Sequence, residues 1–324
     1  MKVSFVIPNY NGEEILKKNL PKVIESAALY AKDTLHAVEI IVVDDCSKDR
    51  SVEVITKIFS SVSYPFFSTS MIRSTVNKGF SSTVNKGAGV ATGEVLILLN
   101  TDVYPEKNHD FFSNALRSFD DPKIFAVGFM DKSIDSGKIT LRGRGVGKWK
   151  RGFLLHRRGE VNTQNTLWVS GGSSAFRRSI WKELGGMNEM YNPFYWEDID
   201  LSYRALKRGY KIIFEPKSVV VHEHDKGSIK KSRKPFAIQT ISYRNQIFFV
   251  WLNATDPMLL ISHVLWLPYH IINTVVKGDV AFSLGLFQAI SQLPRVIKLR
   301  RNQHRGIKIE DKAVVAPFQG ERVE

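Results

Sequence analysis

The fold is decided by the stretch Gly93-Glu-Val-Leu-Ile-Leu-Leu-Asn-Thr-Asp102. Its central residues, Val95 to Leu99, are continuously apolar, as expected of a strand that is buried on both faces of a parallel sheet. The preceding segment, Ser81 to Ala91, is predicted to be a helix. Asn100, Thr101 and Asp102 therefore follow the carboxyl end of a central strand, which is where ligands bind in open sheets of this kind.

The same alternation of strand and helix continues on both sides of that stretch. Short apolar runs predict strands at Val3–Ile7, Glu39–Val43, Phe66–Ile72, Trp168–Phe176, Tyr210–Phe214 and Ser218–Val221. Helical periodicity predicts helices at Glu13–Lys32, Asp49–Phe59 and Ile180–Leu184. Such alternation predicts an α/β fold with a mostly parallel sheet flanked by helices. Three of the strand ends are polar, which predicts one shared site that includes Asn9, Asn11, Asp44 and Asp45.

The composition restricts the class of partner. The chain has 324 residues and a formal net charge of +14, from 46 basic and 32 acidic residues. Such an excess favours anionic partners, namely nucleotides, nucleic acid or acidic lipid, although a soluble basic surface would look the same. Cys46 is the only cysteine, so an intrachain disulfide and a cysteine-based zinc site are excluded and a reducing compartment is expected. The N-terminal apolar run is too short for a signal peptide.

A second acidic stretch lies far downstream. The segment from Tyr191 to Arg204 places Glu197, Asp198 and Asp200 at the start of a predicted helix, directly after an aromatic loop. Acidic residues in a first turn also occur in any well-capped helix, because they complement the helix dipole. Together with Asp102, however, the carboxylates indicate a site that binds a metal and moves a proton.

These motifs form an ordered set. They are Val6-Ile-Pro-Asn-Tyr-Asn-Gly12, Val42-Val-Asp-Asp-Cys-Ser47, Asn77-Lys-Gly79, Gly93 to Asp102, Gly171-Gly-Ser-Ser-Ala-Phe-Arg177 and Trp196-Glu-Asp-Ile-Asp-Leu201. In this order the chain resembles the inverting GT-A glycosyltransferases of family 2, over roughly residues 1 to 230. The resemblance implies a GT-A fold, a nucleotide-sugar donor, a divalent metal and direct displacement with inversion.

The resemblance also implies a metal site. Asp102 is the expected ligand, although the family's usual Asp-x-Asp is Asn100-Thr-Asp102 in this chain, so the site carries one charge less. His222 is expected to complete the site, and His224 is close enough to compete for this role. A carboxylate and an imidazole suit Mn²⁺ or Mg²⁺, which would stabilise the diphosphate leaving group.

The remaining site residues are assigned by the same resemblance. Asp198 is the expected general base, which takes the proton of the acceptor hydroxyl. Glu197 is the alternative base or a ligand of the acceptor sugar, and Asp200 is expected to be structural. Asp45 is expected to accept a hydrogen bond from the nucleobase. The donor is expected to meet a larger set of residues: Pro8, Asn9, Asn11, Asp44, Arg73, Lys78, Asn100, Thr101, Gly171 and Gly172.

Two further segments carry predictions. Arg142–Gly147, rich in glycine and arginine, is predicted to be a mobile loop over the site or a plain surface hairpin. Near residue 230 a basic run separates a catalytic domain, 1–230, from a helical extension, 231–324. Within the extension, Pro257–Val276 is nearly long enough to span a bilayer, but its histidines and flanking aromatic and basic residues favour a helix that lies in the membrane interface. A hairpin packed on protein and a dimer contact remain alternatives.

The sequence thus predicts a metal-dependent inverting glycosyltransferase, cytoplasmic and peripheral at the inner face of the cell membrane. The predicted partners are a nucleotide-diphosphate sugar, a glycan acceptor (lipid-linked or a surface-polysaccharide intermediate) and the membrane surface. The alternative is a non-catalytic module that binds nucleotide sugars or glycans. A nucleic-acid-binding protein is not expected, because it would need aromatic and basic residues on one face, whereas here the charge concentrates around the loop and the tail.

Overall fold

The computed structural model describes residues 1–106, 110–223 and 234–321. Two sheets are present in these ranges. Their strands are β1 (Val3–Asn9), β2 (Val38–Asp44), β3 (Phe67–Arg73), β4 (Val95–Leu99), β5 (Val103–Pro105), β6 (Ile124–Asp135), β7 (Lys138–Arg142), β8 (Gly145–Lys150), β9 (Phe153–Arg158), β10 (Ser173–Arg177) and β11 (Lys211–Glu223).

The helices fall into two groups. Those that accompany the main sheet are α1 (Glu13–Thr34), α2 (Ser51–Ser60), α3 (Phe80–Val90), α4 (Asp110–Arg117), α5 (Arg178–Leu184) and α6 (Glu197–Lys207). Those after the second undescribed segment are α7 (Pro235–Asn253), α8 (Pro257–Val276), α9 (Ala281–Ser291), α10 (Leu293–Gln303) and α11 (Asp311–Val315).

The main sheet has the strand order β3-β2-β1-β4-β10-β6-β11-β5, with β7 paired to β6. Strand β1 is parallel to β2 and β4, β2 is parallel to β3, and β6 is parallel to β11, whereas β10 runs antiparallel between β4 and β6. Helices cover both faces: α1, α2 and α4 contribute to one buried cluster, and α3, α5 and α6 to the other. The predicted mostly parallel α/β architecture is confirmed, because its apolar strands need cover on both faces.

The helices after residue 234 form a third hydrophobic core together with α6, β8 and β9. Phe248 and Phe249 of α7 are fully buried against Tyr203 and Ile199 of α6 and against Leu154 of β9. The predicted boundary near residue 230 lies outside the described residues. Among those described, one helix, α8, is long and apolar enough to cross a membrane.

Three local predictions were wrong. The predicted strands at 210–214 and 218–221 are one strand, β11, because an irregularity between Glu215 and Val219 lets it continue alongside β6. Strand β10 begins at Ser173 rather than Trp168. Arg142–Gly147 is no mobile loop, because Arg144 is fully buried and donates hydrogen bonds to Asn165 and Glu321.

The strand register brings the polar strand ends together. Asn9 at the end of β1 lies beside Asp44 at the end of β2, and Asp44 lies beside Arg73 at the end of β3. On the other half of the sheet, His222 pairs with Val103, the residue after Asp102. Since parallel strands end at one edge of a sheet, these side chains share a single edge.

Candidate functional site

The edge near β1 and β2 is organised by Asp44, which is fully buried. Its carboxylate accepts hydrogen bonds from the Asn9 side-chain amide at 2.8 Å and from the Ser47 backbone N–H at 3.0 Å. The Asn9 amide also donates to the Ser47 hydroxyl at 3.1 Å. The side chains of Asp44 and Asn9 therefore hold the loop after β1 against the loop after β2. Because Asp44 is fully buried, a donor could contact its carboxylate directly only if these loops moved apart.

Asp45 fixes the loop that leads into α3. Its carboxylate accepts the backbone N–H of Lys78 at 3.0 Å and that of Gly79 at 2.9 Å. Gly79 has φ of 88°, in the left-handed region that favours glycine. The Asp45 backbone N–H in turn donates to the Asn9 carbonyl at 2.8 Å. The loops around Asn9, Asp45 and Lys78 are thus held side by side.

Other predicted donor residues lie at the rim of this region. Asn11 is exposed, and its side-chain oxygen accepts the Lys48 backbone N–H at 2.8 Å. Pro8 is half-buried, whereas Arg73 and Lys78 have exposed side chains. The structure thus places these four residues at the same sheet edge as Asp45, with two cations available to a ligand.

Asp102 and His222 meet as predicted, and a third residue joins them. The His222 Nε2 atom lies 3.4 Å from an Asp102 carboxylate oxygen. The other ring nitrogen, Nδ1, is hydrogen-bonded to Asp131 at 2.8 Å. Asp131 follows the apolar part of β6 and accepts the Ser133 hydroxyl at 2.7 Å. The imidazole is therefore oriented by one carboxylate and directed at the other.

The two carboxylates set the protonation of His222. Burial lowers the pKa of its imidazole, but hydrogen bonds to Asp102 and Asp131 and their charges outweigh burial and raise this pKa to about 9. The same surroundings would favour a divalent cation, because the negative charges of Asp102 and Asp131 would stabilise it as well.

The arrangement fits a divalent metal. An imidazole that ligates a metal through one nitrogen typically donates its other N–H to a carboxylate, as His222 is placed to do with Asp131. Within residues 1–106, 110–223 and 234–321, no three histidine, cysteine or acidic side chains form a larger ligand cluster. Asp102 and His222 would therefore leave positions for oxygens of a bound diphosphate. His224, the predicted competitor, lies outside the described residues.

A glycine turn before β10 joins the two acidic regions. The Gly171 backbone N–H points at the Asp198 carboxylate at 3.4 Å, and the Gly172 carbonyl accepts the Asn100 backbone N–H at 2.9 Å. A Cβ atom on Gly172 would lie 2.3 Å from the Asn100 side-chain nitrogen, so no larger residue fits without a shift. Thr101, the next residue, accepts from the Asn19 side chain through its carbonyl at 3.0 Å.

The carboxylates at the start of α6 have perturbed acidity. Burial raises the pKa of Asp198 to about 6, although the backbone N–H groups of Ile199 and Gly171 oppose this shift. Glu197 is buried, and its Oε2 atom has no hydrogen-bond partner among the described residues. Burial, followed by the charge of Asp198, raises the pKa of Glu197 well above its ordinary value. Burial thus shifts both carboxyl groups toward their protonated forms.

Asp200 and Asn245 hold the loop that precedes these carboxylates. Asp200 is fully buried and accepts from Arg204 at 2.7 Å and from the Tyr191 hydroxyl at 3.0 Å, which agrees with a structural role. The Asn245 side-chain amide of α7 donates to the carbonyls of Tyr191, Phe194 and Tyr195 at 2.7 to 2.9 Å. The position of the acidic turn thus depends on a helix from the C-terminal part.

Sequence reasoning missed Asp131 and Asn245. A sequence pattern could have indicated Asp131, because it directly follows the apolar run Ile124 to Met130. Asp102 likewise comes shortly after the apolar run Val95 to Leu99. No sequence pattern indicated Asn245, because an asparagine within a mostly apolar helix does not reveal which carbonyl groups its side chain contacts.

Comparison with known proteins agrees with this geometry. The family model described as "Glycosyl transferase family 2" matches residues 4–185. The probable glycosyltransferase YdaM of Bacillus subtilis (strain 168) is 30% identical over 220 residues, which are 67% of this chain and 50% of YdaM. The O-antigen chain rhamnosyltransferase RfbN of Salmonella typhimurium is 25% identical over 231 residues, 69% of this chain and 67% of RfbN. The chain thus spans about half the length of YdaM.

Solved structures show the same fold. A structure of GalNAc-T7 with UDP, GalNAc and Mn²⁺ superposes with a TM-score of 0.60 at 19% identity, covering 79% of this chain and 48% of that one. S. aureus TarS 1-349 in complex with UDP-GlcNAc gives 0.56 at 19% identity, covering 98% and 89%. The family match ends before α6, so the roles of Asp198 and His222 are argued from geometry. By its family match and its fold, the chain belongs to glycosyl transferase family 2, as the motifs predicted.

Proposed function

We propose that this chain transfers a sugar from a nucleotide-diphosphate donor to a hydroxyl group of a glycan acceptor, with inversion at the anomeric carbon. The observation that carries this proposal is the turn at Gly171 and Gly172. It contacts Asp198 on one side and Asn100, two residues before Asp102, on the other. A carboxylate that can take a proton and the loop that carries a potential cation ligand therefore lie on either side of one glycine turn.

Asp198 would act as the general base. The acceptor hydroxyl must lose its proton as its oxygen attacks the anomeric carbon, and a base with a pKa near the working pH does this best. The Asp198 pKa of about 6 meets that condition. Glu197, whose pKa is also raised by burial, would lie beside it and could contact the acceptor sugar. A carboxylate on the face opposite the leaving group is what a single displacement requires.

Asp102 and His222 would hold a divalent cation, with Asp131 orienting the imidazole. When bound, Mn²⁺ or Mg²⁺ supplies positive charge to the diphosphate of the leaving nucleotide. An imidazole ligand favours Mn²⁺ over Mg²⁺, which prefers oxygen ligands only. On the other half of the edge, Asp45, Asn11 and Lys78 would surround the nucleoside.

The acceptor would be a lipid-linked glycan or a surface-polysaccharide intermediate, with the enzyme at the cytoplasmic face of the cell membrane. Two observations support this part. The poly-β-1,6-N-acetyl-D-glucosamine synthase of Staphylococcus aureus (strain COL) is 28% identical over 227 residues, 48% of its own length. The helix α8 is also apolar along its outward side.

The experiment is a screen of nucleotide sugars for thermal stabilisation of the chain and for metal-dependent release of the nucleotide. One donor is expected to stabilise the chain only with Mn²⁺ or Mg²⁺ and to be turned over. Asp102→Ala should lose both effects and keep its fold, whereas the matched control Asp135→Ala, an exposed acid at the end of β6, should keep both. Full turnover in excess chelator would refute the metal site. Donor binding without turnover for any acceptor would favour the binding-module alternative.

A further inference from the structure

The most unusual surface of the molecule is apolar and lies on α8 and α9. More than half of the large hydrophobic side chains that are exposed in the described residues fall between Met258 and Ile297. We call the outward side of these two helices the apolar face; its exposed members include Ile261, Val264, Leu265, Ile272, Leu284 and Phe287. Soluble monomers rarely leave such a continuous apolar surface in water.

The inward side of α8 is fixed to protein. His263 is buried, and its Nδ1 atom donates to the Gly152 carbonyl at 2.9 Å while Nε2 accepts the Trp251 indole N–H at 3.1 Å. A Cβ atom on Gly152 would lie 2.4 Å from the His263 Cα atom, so the β8–β9 turn and the helix backbone touch. One side of α8 is thus held by hydrogen bonds, and only the other side is available to a partner.

The charge around the apolar face is positive. From Pro257 to Gln303 the only acid is Asp279, which accepts hydrogen bonds from Gln239 and Tyr243. The same segment has exposed basic side chains at Lys277, Arg295, Lys298 and Arg301. Arg151, in the β8–β9 turn, stacks on the Trp266 and Tyr269 rings at 5.2 and 4.9 Å. Apolar side chains bordered by cations and amphipathic aromatics are typical of a surface that rests on anionic lipid.

We propose that the apolar face lies on an anionic lipid surface, with α8 parallel to the membrane plane and the β8–β9 turn at headgroup level. This deepens the acceptor and location parts of the proposed function, but the contact itself needs neither donor nor metal. A second copy of the chain fits less well, because a two-fold contact would bring the same basic residues together.

A full crossing by α8 conflicts with the contacts of its middle. Gly152 meets His263, and Arg151 meets Trp266 and Tyr269, all near the centre of a 20-residue helix. If α8 spanned the bilayer, the charged turn would be carried close to the hydrocarbon centre, where a cation is strongly disfavoured. With α8 in the membrane plane, the same turn stays at the headgroups, where arginine and tyrosine are favoured.

The β8–β9 hairpin connects this face to the acidic site. From Arg151 the strand β9 leads to His156, a span of roughly 16 Å at ~3.3 Å per residue. The His156 ring packs edge-on against Trp196 with ring centroids 4.8 Å apart, and Trp196 directly precedes Glu197 and Asp198. A lipid-linked acceptor that rises from the membrane beside the hairpin would therefore approach Asp198.

The test is co-sedimentation of the full chain with phosphatidylcholine vesicles that contain or lack phosphatidylglycerol, without donor or metal. The wild-type chain should sediment with the anionic vesicles at low salt. The double variant Leu265→Asp with Ile272→Asp should bind at least tenfold more weakly, since both side chains are exposed and tolerate the change. Arg295→Glu with Lys298→Glu should weaken binding about tenfold and reduce its salt dependence. Val90→Asp, an exposed apolar residue on α3, is the matched control and should bind like the wild type.

Four outcomes would overturn the proposal. The wild-type chain could stay in the supernatant, or the Leu265 and Ile272 double variant could sediment as the wild type does. A dimer in lipid-free buffer that the same variant converts to monomer, without vesicle binding, would assign the face to a second copy. Retention in the pellet after an alkaline wash would indicate a crossing rather than a surface contact. Because donor binding is measured separately, failure here leaves the glycosyltransferase proposal intact, and the reverse also holds.

Discussion

Replacing Asp198 by asparagine tests the proposed general base most directly. Asparagine has nearly the same shape, and its side-chain oxygen can still accept the Ile199 backbone N–H, which lies 2.8 Å from the carboxylate. It cannot accept a proton from the acceptor. The rate of sugar transfer should therefore fall by about two to four decades, the usual contribution of a general base, while donor binding is kept.

The pH dependence gives the magnitude a second, independent check. With a pKa of about 6, Asp198 is about 90% ionised at pH 7 and about 10% ionised at pH 5. The wild-type kcat/KM should thus fall about ninefold between these pH values, because only the ionised form can take a proton. The residual activity of Asp198→Asn should lack this acidic limb. The assay is nucleotide release over pH 5 to 8 with saturating metal.

The thermal stability of Asp198→Asn distinguishes loss of the general base from loss of the fold. The pKa of Asp198 in the folded chain lies above its ordinary value of 3.8, so ionising this group disfavours the folded state. That penalty develops as the pH rises from about 4 to about 6 and persists at neutral pH. Asp198→Asn removes the charge, and we expect its Tm at pH 7 to equal or exceed that of the wild type.

Glu197→Gln is the matched control at the neighbouring position. Burial favours the neutral form of Glu197, and glutamine is neutral with nearly the same shape, so the substitution should perturb Asp198 little. The transfer rate should change by less than about tenfold, and the acidic limb should persist. If Glu197→Gln were inactive while Asp198→Asn kept near-wild-type turnover, the reasoning would be refuted and the base would be Glu197.

The remaining predictions concern residues that orient the site. Asp131→Asn should weaken Mn²⁺ affinity by about ten- to hundredfold, measured by metal titration, because the amide no longer fixes His222 as a carboxylate does. Gly172→Ala should lower the transfer rate by on the order of tenfold to hundredfold, since its Cβ would lie 2.3 Å from the Asn100 side chain and displace the turn. Asn245→Ala should lower the free energy of unfolding by about 1 to 3 kcal/mol, measured in urea, because buried carbonyls lose their donor.

Each of these changes has a control at a residue of the same type. Asp135→Asn lies on the same strand as Asp131 but is exposed and should leave metal affinity unchanged. Gly89→Ala adds a Cβ with nothing within 4 Å and should leave transfer unchanged. Asn302→Ala is exposed on α10 and should leave unfolding unchanged. A control that behaves like its partner variant would show that the effect is not specific to the site.

The order of the elements could be read from the sequence. The strand β4 was predicted at its observed bounds, and the helix α8 likewise, because each is a continuous apolar segment bounded by polar or turn residues. Which strands pair with each other depends on residues that are far apart in the sequence. The sequence did not show that β10 inserts antiparallel between β4 and β6, since apolar periodicity does not encode which strands are neighbours.

The residues of the site also fall into those that the sequence indicated and those that only the structure revealed. Asp102 and Asp198 were predicted from the sequence because each stands in a motif of the ordered set that resembles the family. Asp131 and Asn245 became visible only in the tertiary structure, because their partners, His222 and the loop from Tyr191 to Tyr195, are distant in sequence. Local periodicity therefore determined the elements and the residues at their ends. Packing alone decided which side chains orient others, and which side of α8 stays exposed among the described residues.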